Sequence, residues 1–121
     1  MDKAVEQLHA QGRAARAASR RLAYLDTEVK NRALENIAAG LLERRGEILA
    51  ANHQDCQAAE AAGMNAAMLD RLLLTEERLA GMARDVRTVA ALPDPVGEMI
   101  DMRTLPNGLQ LGKKRVPLGV I

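Results

Sequence analysis

A single cysteine, Cys56, follows His53 by three residues, and a thiol beside an imidazole is an arrangement that nucleophilic catalysis uses. A reactive thiolate needs an electropositive, partly exposed setting, and its base needs a third group that orients it. The sequence shows no such third group at a matching spacing. The same two residues supply at most half of a metal site, because His9 lies on a different predicted helix. We therefore interpret His53 and Cys56 as packing or surface residues.

Basic side chains form two groups whose chemistry suits phosphate. Arg13, Arg16, Arg20 and Arg21 lie near the N-terminus, and Gly112-Lys113-Lys114-Arg115 lies near the other end of the chain. Lysine and arginine contacts dominate binding to nucleic-acid backbones. The second group lacks the phosphate-loop pattern, in which lysine and then serine or threonine open a helix. With 17 basic and 16 acidic residues the net charge is only +1, so we interpret both groups as solvated surface.

Three carboxylates, Asp85, Asp94 and Asp101, follow one another near the end of the predicted helical region. Their spacing does not indicate a pair of the kind that general acid and base catalysis uses. The spacing of these residues therefore predicts no catalytic residue and no metal ligand within this chain.

Composition narrows the class of protein further. The chain has 121 residues, one cysteine and one aromatic residue, Tyr24. A pocket that stacks a nucleobase on aromatic rings is therefore excluded, and so is single-strand binding by interleaved aromatics. One cysteine forms no internal disulfide, the N-terminus lacks an apolar signal core, and no apolar run reaches the roughly 20 residues that cross a bilayer. These features predict a soluble cytoplasmic protein that binds neither nucleic acid nor membrane.

Apolar residues recur at helical spacings up to residue 92, which predicts a mainly α region of about five helices. The predicted helices are about Lys3–Leu25, Thr27–Arg45, a third from Ile48 to Ala62, a short fourth after Asn65, and a fifth from Thr75 to Leu92. We expect a break or a new cap in the third helix at 52–55, where Asn and Asp compete for backbone hydrogen bonds. Asn65 and Thr75 have the side chains of N-caps, and Pro93 blocks continuation of the last helix.

Three of these helices carry a clear apolar stripe. The stripes are Val5, Leu8, Ala15, Ala18, Leu22 and Leu25 in the first helix, Leu34, Ile37, Ala38 and Leu41 in the second, and Leu79, Met82, Ala83, Val86, Val89 and Ala90 in the fifth. A stripe of this kind is typical of a helix that packs on another element, and a stripe whose cover lies outside this chain is expected to face water and to invite association.

The period of the apolar residues changes to two after residue 97. Ile100 and Met102 alternate with charged residues, and an Asn-Gly pair at 107–108 tolerates the positive φ angles of a tight turn. We expect antiparallel strands at about 98–104 and 109–116. Because an isolated hairpin is marginal in water, its outer edges are expected to find partners in a sheet outside this chain or in another subunit.

The chain ends in an apolar run, Val116-Pro117-Leu118-Gly119-Val120-Ile121. Such a run is typical of a strand that is covered on both faces in a parallel sheet. The rest of that sheet is not encoded here, so we expect these residues to open its first strand and the chain to be the front part of a larger protein.

Several strings of residues, taken in order, resemble one enzyme family. They are Lys30-Asn31-Arg32 with Ile37-Ala38, Ala51-Asn52 with Gln54-Asp55, Ala67-Met68-Leu69-Asp70-Arg71-Leu72, Asp85-Val86-Arg87, Asp94-Pro95-Val96-Gly97, and Arg115-Val116-Pro117-Leu118-Gly119-Val120-Ile121. Together they resemble the N-terminal quarter of γ-glutamyl phosphate reductase, also called glutamate-5-semialdehyde dehydrogenase, of the aldehyde dehydrogenase superfamily. The resemblance covers almost the whole chain without large gaps.

The resemblance implies a parent α/β enzyme that reduces L-glutamyl 5-phosphate to L-glutamate 5-semialdehyde with NADPH, releasing phosphate, in proline biosynthesis. In that family a cysteine thiolate attacks the acyl phosphate, but that cysteine lies far downstream and Cys56 does not match it. The family's cofactor-contacting loops follow the strand that begins at Val116, so the resemblance also implies no cofactor-binding residue within this chain. The resemblance further implies that 1–97 is the helical part of the cofactor-binding domain, that 98–116 is an oligomerisation arm through which copies associate, and that 117–121 begins the first strand of the nucleotide-binding sheet. The 121 residues alone are then expected to be inactive.

A second hypothesis remains open from the sequence. The chain is then a free-standing helical protein-interaction module, whose amphipathic faces and hairpin bind a partner and which covers its terminal run by self-association.

Overall fold

The computed structural model describes residues 3–121, which form five helices followed by a two-stranded antiparallel sheet. The elements are α1 (Lys3–Leu22), α2 (Thr27–Glu43), α3 (Arg45–Ala61), α4 (Ala66–Leu72), α5 (Glu76–Ala90), β1 (Met99–Thr104) and β2 (Gln110–Lys114). The predicted fold class, mainly α with a β-hairpin near the C-terminus, is confirmed. Within the described residues no helix is long and apolar enough to cross a membrane.

Both predicted N-caps are confirmed. The Asn65 side-chain oxygen accepts from the backbone N–H of Met68 at 3.0 Å and begins α4. The Thr75 hydroxyl oxygen accepts from the N–H of Arg78 at 3.1 Å and begins α5. In each case a short polar side chain satisfies a donor that the first helical turn leaves without a partner, which fixes where the helix starts.

Two helix ends differ from the prediction. The first helix ends at Leu22 and not at Leu25, because the N–H of Leu25 bonds to the carbonyl of Leu22 in a turn tighter than an α-helix. The second ends at Glu43, and Gly46 lies in the first turn of α3 and does not terminate α2.

Residues 28–92 form one compact unit, which contains most of α2 and all of α3, α4 and α5. Its buried apolar residues are Ala38, Leu79 and Ala83, and Leu79 is only 1% exposed. Within the predicted stripes of α2 and α5 these three residues are the buried ones, whereas Ile37 and Met82 are exposed.

The second unit consists of residues up to 27 together with 93–121. No residue of α1 is buried, so the predicted α1 stripe does not face a core within this structure, and Leu25 beyond it is exposed as well. Residues 115–121 form no strand, and Val116, Leu118 and Ile121 are exposed. The described residues include no parallel sheet, so the prediction that 117–121 begins a strand of one stays a prediction.

The hairpin strands are shorter than predicted, Met99–Thr104 and Gln110–Lys114. The turn between them is closed by a hydrogen bond from the Gly108 N–H to the Leu105 carbonyl at 2.8 Å, and φ is positive at Gly108 (84°) but not at Asn107. The predicted turn at Asn107-Gly108 is thus present, with the positive φ at Gly108 and not at Asn107. Pro106 fixes a negative φ, which favours a longer loop with glycine in its last position.

Candidate functional site

His53 and Cys56 lie on α3 and line one side of a surface pocket of about 320 Å³. Gln57 and Glu60 complete that side, and the opposite wall comes from α4 and the residue that follows it, with Leu69, Asp70 and Leu73. His53 is exposed, Cys56 is half-buried, and its thiol is free. The Cys56 Sγ lies 3.7 Å from the Asn52 side-chain oxygen, so its hydrogen-bond partner is an amide and not an imidazole.

Asn52 is the polar residue whose role the sequence did not reveal. It is 8% exposed, in the middle of an uninterrupted α3, so the predicted break at 52–55 is wrong. Its Nδ2 donates to the Leu72 carbonyl at 2.9 Å, and its Oδ1 accepts from the Leu74 N–H at 2.8 Å. The Asn52 amide thus binds backbone groups of the α4–α5 connection, 20 and 22 residues away. It does not compete for the backbone hydrogen bonds of α3.

Arg78 fixes the same connection from α5. Its guanidinium donates to the backbone carbonyls of Asp70 and Leu73, the latter at 2.8 Å, and pairs with the Asp70 carboxylate at 2.9 Å. These bonds satisfy carbonyls at the end of α4, which the helix itself leaves open. One wall of the pocket beside Cys56 is therefore built on backbone that two polar side chains hold in place.

The remaining predicted candidates are not brought together. Arg13, Arg16, Arg20 and Arg21 lie exposed along α1, and Asp85 is exposed on α5. Asp94 accepts hydrogen bonds from the Val96 N–H and the Thr27 hydroxyl, both at 3.0 Å. Asp101 pairs with Lys113 at 2.8 Å. Among residues 3–121 no group of three His, Cys, Asp or Glu side chains has the placement of a metal site.

One ion pair joins two helices of the 28–92 unit. The Arg87 guanidinium donates to both carboxylate oxygens of Glu35, at 2.7 to 3.1 Å. These hydrogen bonds hold the pKa of Glu35 below its usual value and raise the pKa of Arg87 further. Both side chains are about half exposed, so the pair ties α2 to α5 at the surface.

The hairpin contains a β-bulge. Ile100 pairs with Lys113 and Arg103 with Leu111, so two residues of β1 lie opposite Gly112 alone. Asp101, in the bulge, has a φ of 54°, a left-handed conformation that few residues other than glycine adopt. Its ion pair with Lys113 spans the bulge. The predicted alternation of Ile100 and Met102 is wrong because the bulge inserts a residue between them.

Gly112 lies directly beneath two methionine side chains. A Cβ at this position would overlap the Met102 sulfur and lie 3.2 Å from the Met99 Cε. Met99, Met102, Leu109 and Leu111 are all exposed. Because side chains alternate along a strand, Leu109 and Leu111 lie on the face opposite to Gly112, and the hairpin exposes apolar side chains on both faces.

The fold is similar to that of solved enzyme structures. The crystal structure of γ-glutamyl phosphate reductase from Thermotoga maritima matches with a TM-score of 0.87 and 39% sequence identity, over 91% of this chain and 27% of that one. The enzyme of the same name from Saccharomyces cerevisiae matches with a TM-score of 0.80 and 31% identity, over 85% of this chain and 26% of that one. The helices and hairpin thus have the fold of one segment of a larger reductase.

Curated relatives give the same result. The γ-glutamyl phosphate reductase of Dehalococcoides mccartyi is 57% identical over 121 residues, which is 100% of this chain and 28% of that protein. The Chloroflexus aggregans protein of that name is 59% identical over 110 residues, 91% of this chain and 26% of its own length. No family profile matches the chain.

The chain therefore spans little more than a quarter of the length of the curated relatives it matches. Over that length it is homologous to the N-terminal segment of γ-glutamyl phosphate reductases, which confirms the resemblance found in the sequence.

Proposed function

We propose that this chain is the N-terminal segment of an NADPH-dependent, cytoplasmic reductase that converts L-glutamyl 5-phosphate to L-glutamate 5-semialdehyde and phosphate in proline biosynthesis. The observation that carries the proposal is the 57% identity to a γ-glutamyl phosphate reductase over all 121 residues. In this proposal NADPH is the cofactor of the whole enzyme, and its catalytic and cofactor-binding residues lie outside the 121 residues. The chain alone is a scaffold without activity.

The partners of the polar side chains support a scaffold role. Asn52, Arg78 and Asp94 each form at least one hydrogen bond with a backbone group at a helix end or a turn. Asp94 lies in the matching string Asp94-Pro95-Val96-Gly97, where its carboxylate holds the turn that leads into the hairpin. Residues shared with the family thus have structural roles here. We assign 1–97 to the helical part of the cofactor-binding domain and 117–121 to the start of its sheet.

The hairpin at 98–116 is proposed as the arm through which copies of the protein associate. Its two strands pair only with each other in the described residues, so each has one open edge. Open edges and exposed apolar side chains such as Met102 and Leu111 are features that association covers.

The activity proposal is tested with the chain and with one chimera. The 121 residues alone, mixed with glutamate 5-semialdehyde, phosphate and NADP, are expected to give no NADPH absorbance. In the chimera the chain replaces the matching 28% of the Dehalococcoides mccartyi reductase, and NADP-dependent turnover is expected to persist. As a control, the same exchange is made with an unrelated helical segment of equal length.

Two results contradict the proposal. If the 121 residues alone show turnover, the proposal that they are inactive by themselves is refuted. A chimera that is folded by circular dichroism and of the parent's oligomeric state, yet inactive, refutes the assignment to this reductase.

The alternative is a free-standing helical interaction module that self-associates. The exposure of every residue on the apolar stripe of α1 favours it, because an amphipathic helix without a covered face is a surface for another protein. A chimera without activity, together with a well-defined oligomer of the 121 residues, is the result that this alternative predicts.

A further inference from the structure

The loop of the hairpin contains an asparagine that is followed by glycine, Asn107-Gly108. Each of the other four asparagines precedes a residue with a side chain; these are Asn31, Asn36, Asn52 and Asn65. Glycine has no Cβ beside its backbone nitrogen, and its main chain is more permissive than that of any other residue. Asn107 is therefore the asparagine of this chain whose side chain has the easiest approach to the nitrogen that follows it.

An asparagine side chain reacts with that nitrogen by intramolecular acyl transfer. The Gly108 nitrogen gives up its proton and attacks the Asn107 Cγ; a C–N bond forms, the Cγ–Nδ2 bond breaks, and Nδ2 leaves as ammonia with that proton. Water then opens the cyclic imide at one of its two carbonyls. Opening at Cγ gives aspartate, and opening at the backbone carbonyl gives isoaspartate, in which the main chain runs through Cβ and Cγ.

The hairpin directs the Asn107 side chain toward this reaction. Its Oδ1 accepts from the Leu109 N–H at 3.1 Å, so the side-chain amide is folded back along the main chain, across Gly108. When a nucleophile attacks Cγ, negative charge develops on Oδ1. A donor that already points at that oxygen stabilises the charge, as in an oxyanion hole. The Leu109 N–H therefore favours the attack.

A second hydrogen bond opposes the attack. The Gly108 N–H donates to the Leu105 carbonyl at 2.8 Å, so the nucleophile keeps its proton while the loop is closed. The Leu105 N–H donates in turn to the Leu109 carbonyl at 2.8 Å, and the ring of Pro106 fixes φ inside the loop. The reaction consequently requires that the loop open, and a two-stranded hairpin opens at a low cost in free energy.

We propose that Asn107 is a site of self-catalysed deamidation that reacts when the hairpin loop opens, and that the isoaspartate formed then prevents the loop from closing. Isoaspartate adds one atom to the main chain between the Cα of residue 107 and the Gly108 nitrogen. The two 2.8 Å hydrogen bonds of the loop then no longer form together. The aspartate product leaves the main chain unchanged, and its carboxylate still accepts from the Leu109 N–H. The step consumes only water.

The site and its dependence on loop opening are tested by peptide mass spectrometry. The folded 121-residue chain and the same chain in urea are incubated in a mildly alkaline buffer, and isoaspartate is identified with a protein isoaspartate methyltransferase. We expect Asn107 to convert in both samples, several-fold faster in urea, and the other four asparagines to convert more slowly. Faster conversion at another asparagine overturns the site, and equal rates in the two samples overturn the dependence on opening.

A pair of proline variants tests the role of the loop without denaturant. Pro106→Gly removes the ring that fixes φ within the loop, whereas Pro95→Gly removes a ring from the turn at the opposite end of the hairpin. Deamidation of Asn107 is expected to be several-fold faster in Pro106→Gly than in the unmodified chain, and unchanged in Pro95→Gly. Equal rates in the two variants contradict the proposal that the loop controls the reaction.

Amide hydrogen exchange tests the effect of isoaspartate on the hairpin. The isoaspartate form, separated by chromatography, is expected to lose protection at the Leu105 N–H, which closes the loop. It should keep protection at the Arg115 N–H, which donates to the Glu98 carbonyl at the other end of the hairpin. Asn107→Asp, the control with the same composition, should keep both. If the isoaspartate form protects Leu105 as well as Asn107→Asp does, the block to closing is wrong.

Discussion

Asn52 is one buried amide that serves the backbone of two helices. Its nitrogen and oxygen bind the Leu72 carbonyl and the Leu74 N–H, the groups on either side of the bend between α4 and α5. A buried polar group that loses its partner retains the full cost of its desolvation. The Asn52 side chain therefore holds the bend between α4 and α5 against α3.

Asn52→Ala is expected to lower the free energy of unfolding by about 1 to 3 kcal/mol, because it leaves a donor and an acceptor of the bend unsatisfied. Urea denaturation followed by helical circular dichroism measures the change. Asn36→Ala, an exposed asparagine within α2, is the matched control and is expected to be neutral or slightly stabilising. Equal effects of the two variants would show that the Asn52 bonds contribute nothing.

The roles of polar residues whose hydrogen-bond partners are close in sequence could be predicted, whereas the role of Asn52 could not. Asn65 and Thr75 bond to N–H groups three residues ahead, which is a spacing that the sequence displays. The partners of Asn52 lie 20 and 22 residues away, so the same residue type signalled a break. A hydrophobic neighbourhood at Ile48 and Leu49, on the same helix, was the available sign that this position is covered.

Two threonines, Thr75 at the N-cap of α5 and Thr88 near its end, use their hydroxyl groups differently. The Thr75 hydroxyl accepts from an orphan N–H, whereas the Thr88 hydroxyl donates to the Arg84 carbonyl, which the helix already uses. Thr75→Ala is expected to cost about 1 kcal/mol of stability, and Thr88→Ala to cost nothing or to stabilise slightly. Thermal unfolding of both variants tests the difference, and a larger loss for Thr88→Ala would contradict it.

The pair between α2 and α5 predicts a dependence of stability on pH. Because the pKa of Glu35 in the folded chain is below its unfolded value of about 4.3, the contribution of the pair is complete above that pH. It is lost as pH falls through the lower folded pKa. The difference in urea midpoint between the unmodified chain and Glu35→Gln should therefore be largest near pH 7 and vanish in acid.

Glu43→Gln, an exposed carboxylate on the same helix, provides the comparison and should show a small difference that changes little with pH. A Glu35→Gln difference that persists undiminished in acid would mean that the charge of Glu35 is not what joins the helices.

Most helices and strands could be predicted from the sequence. The features that could not, the bulge in β1 and the cover of the α1 stripe, both depend on contacts with other elements. Helical spacing and the Pro93 stop identified α5, and the change of period identified the hairpin. The bulge at Asp101 depends on the pairing of two strands, which one strand's alternation does not display. The exposure of the α1 stripe has a similar reason, since amphipathicity requires a cover but does not say where it comes from.

For the whole molecule, exposed surface is the dominant feature. The chain exposes 9969 Å². Two independent compact units that share its mass of 13.1 kDa would together expose only roughly 7,700 Å². The excess agrees with the small set of buried residues, Ala38, Leu79, Ala83 and Asn52 among those described.

The urea m-value should accordingly be low, at about 1 kcal/mol/M or less, because m scales with the surface that unfolding newly exposes. Equilibrium unfolding of the unmodified chain, measured at low concentration so that association does not contribute, gives this number. An m-value of about 2 kcal/mol/M or more would mean that the chain buries far more than its structure shows.

The hydrogen bond from Thr27 to Asp94 joins residues that lie 67 positions apart, immediately before and after the 28–92 unit. The residues that flank the two ends of the 28–92 unit are therefore close to each other. Topologically, 28–92 is an insert with neighbouring ends, the situation in which excision and circular permutation succeed. A short glycine bridge from residue 27 to residue 94 would close the gap, and the excised piece could be grafted into a surface loop of an unrelated host.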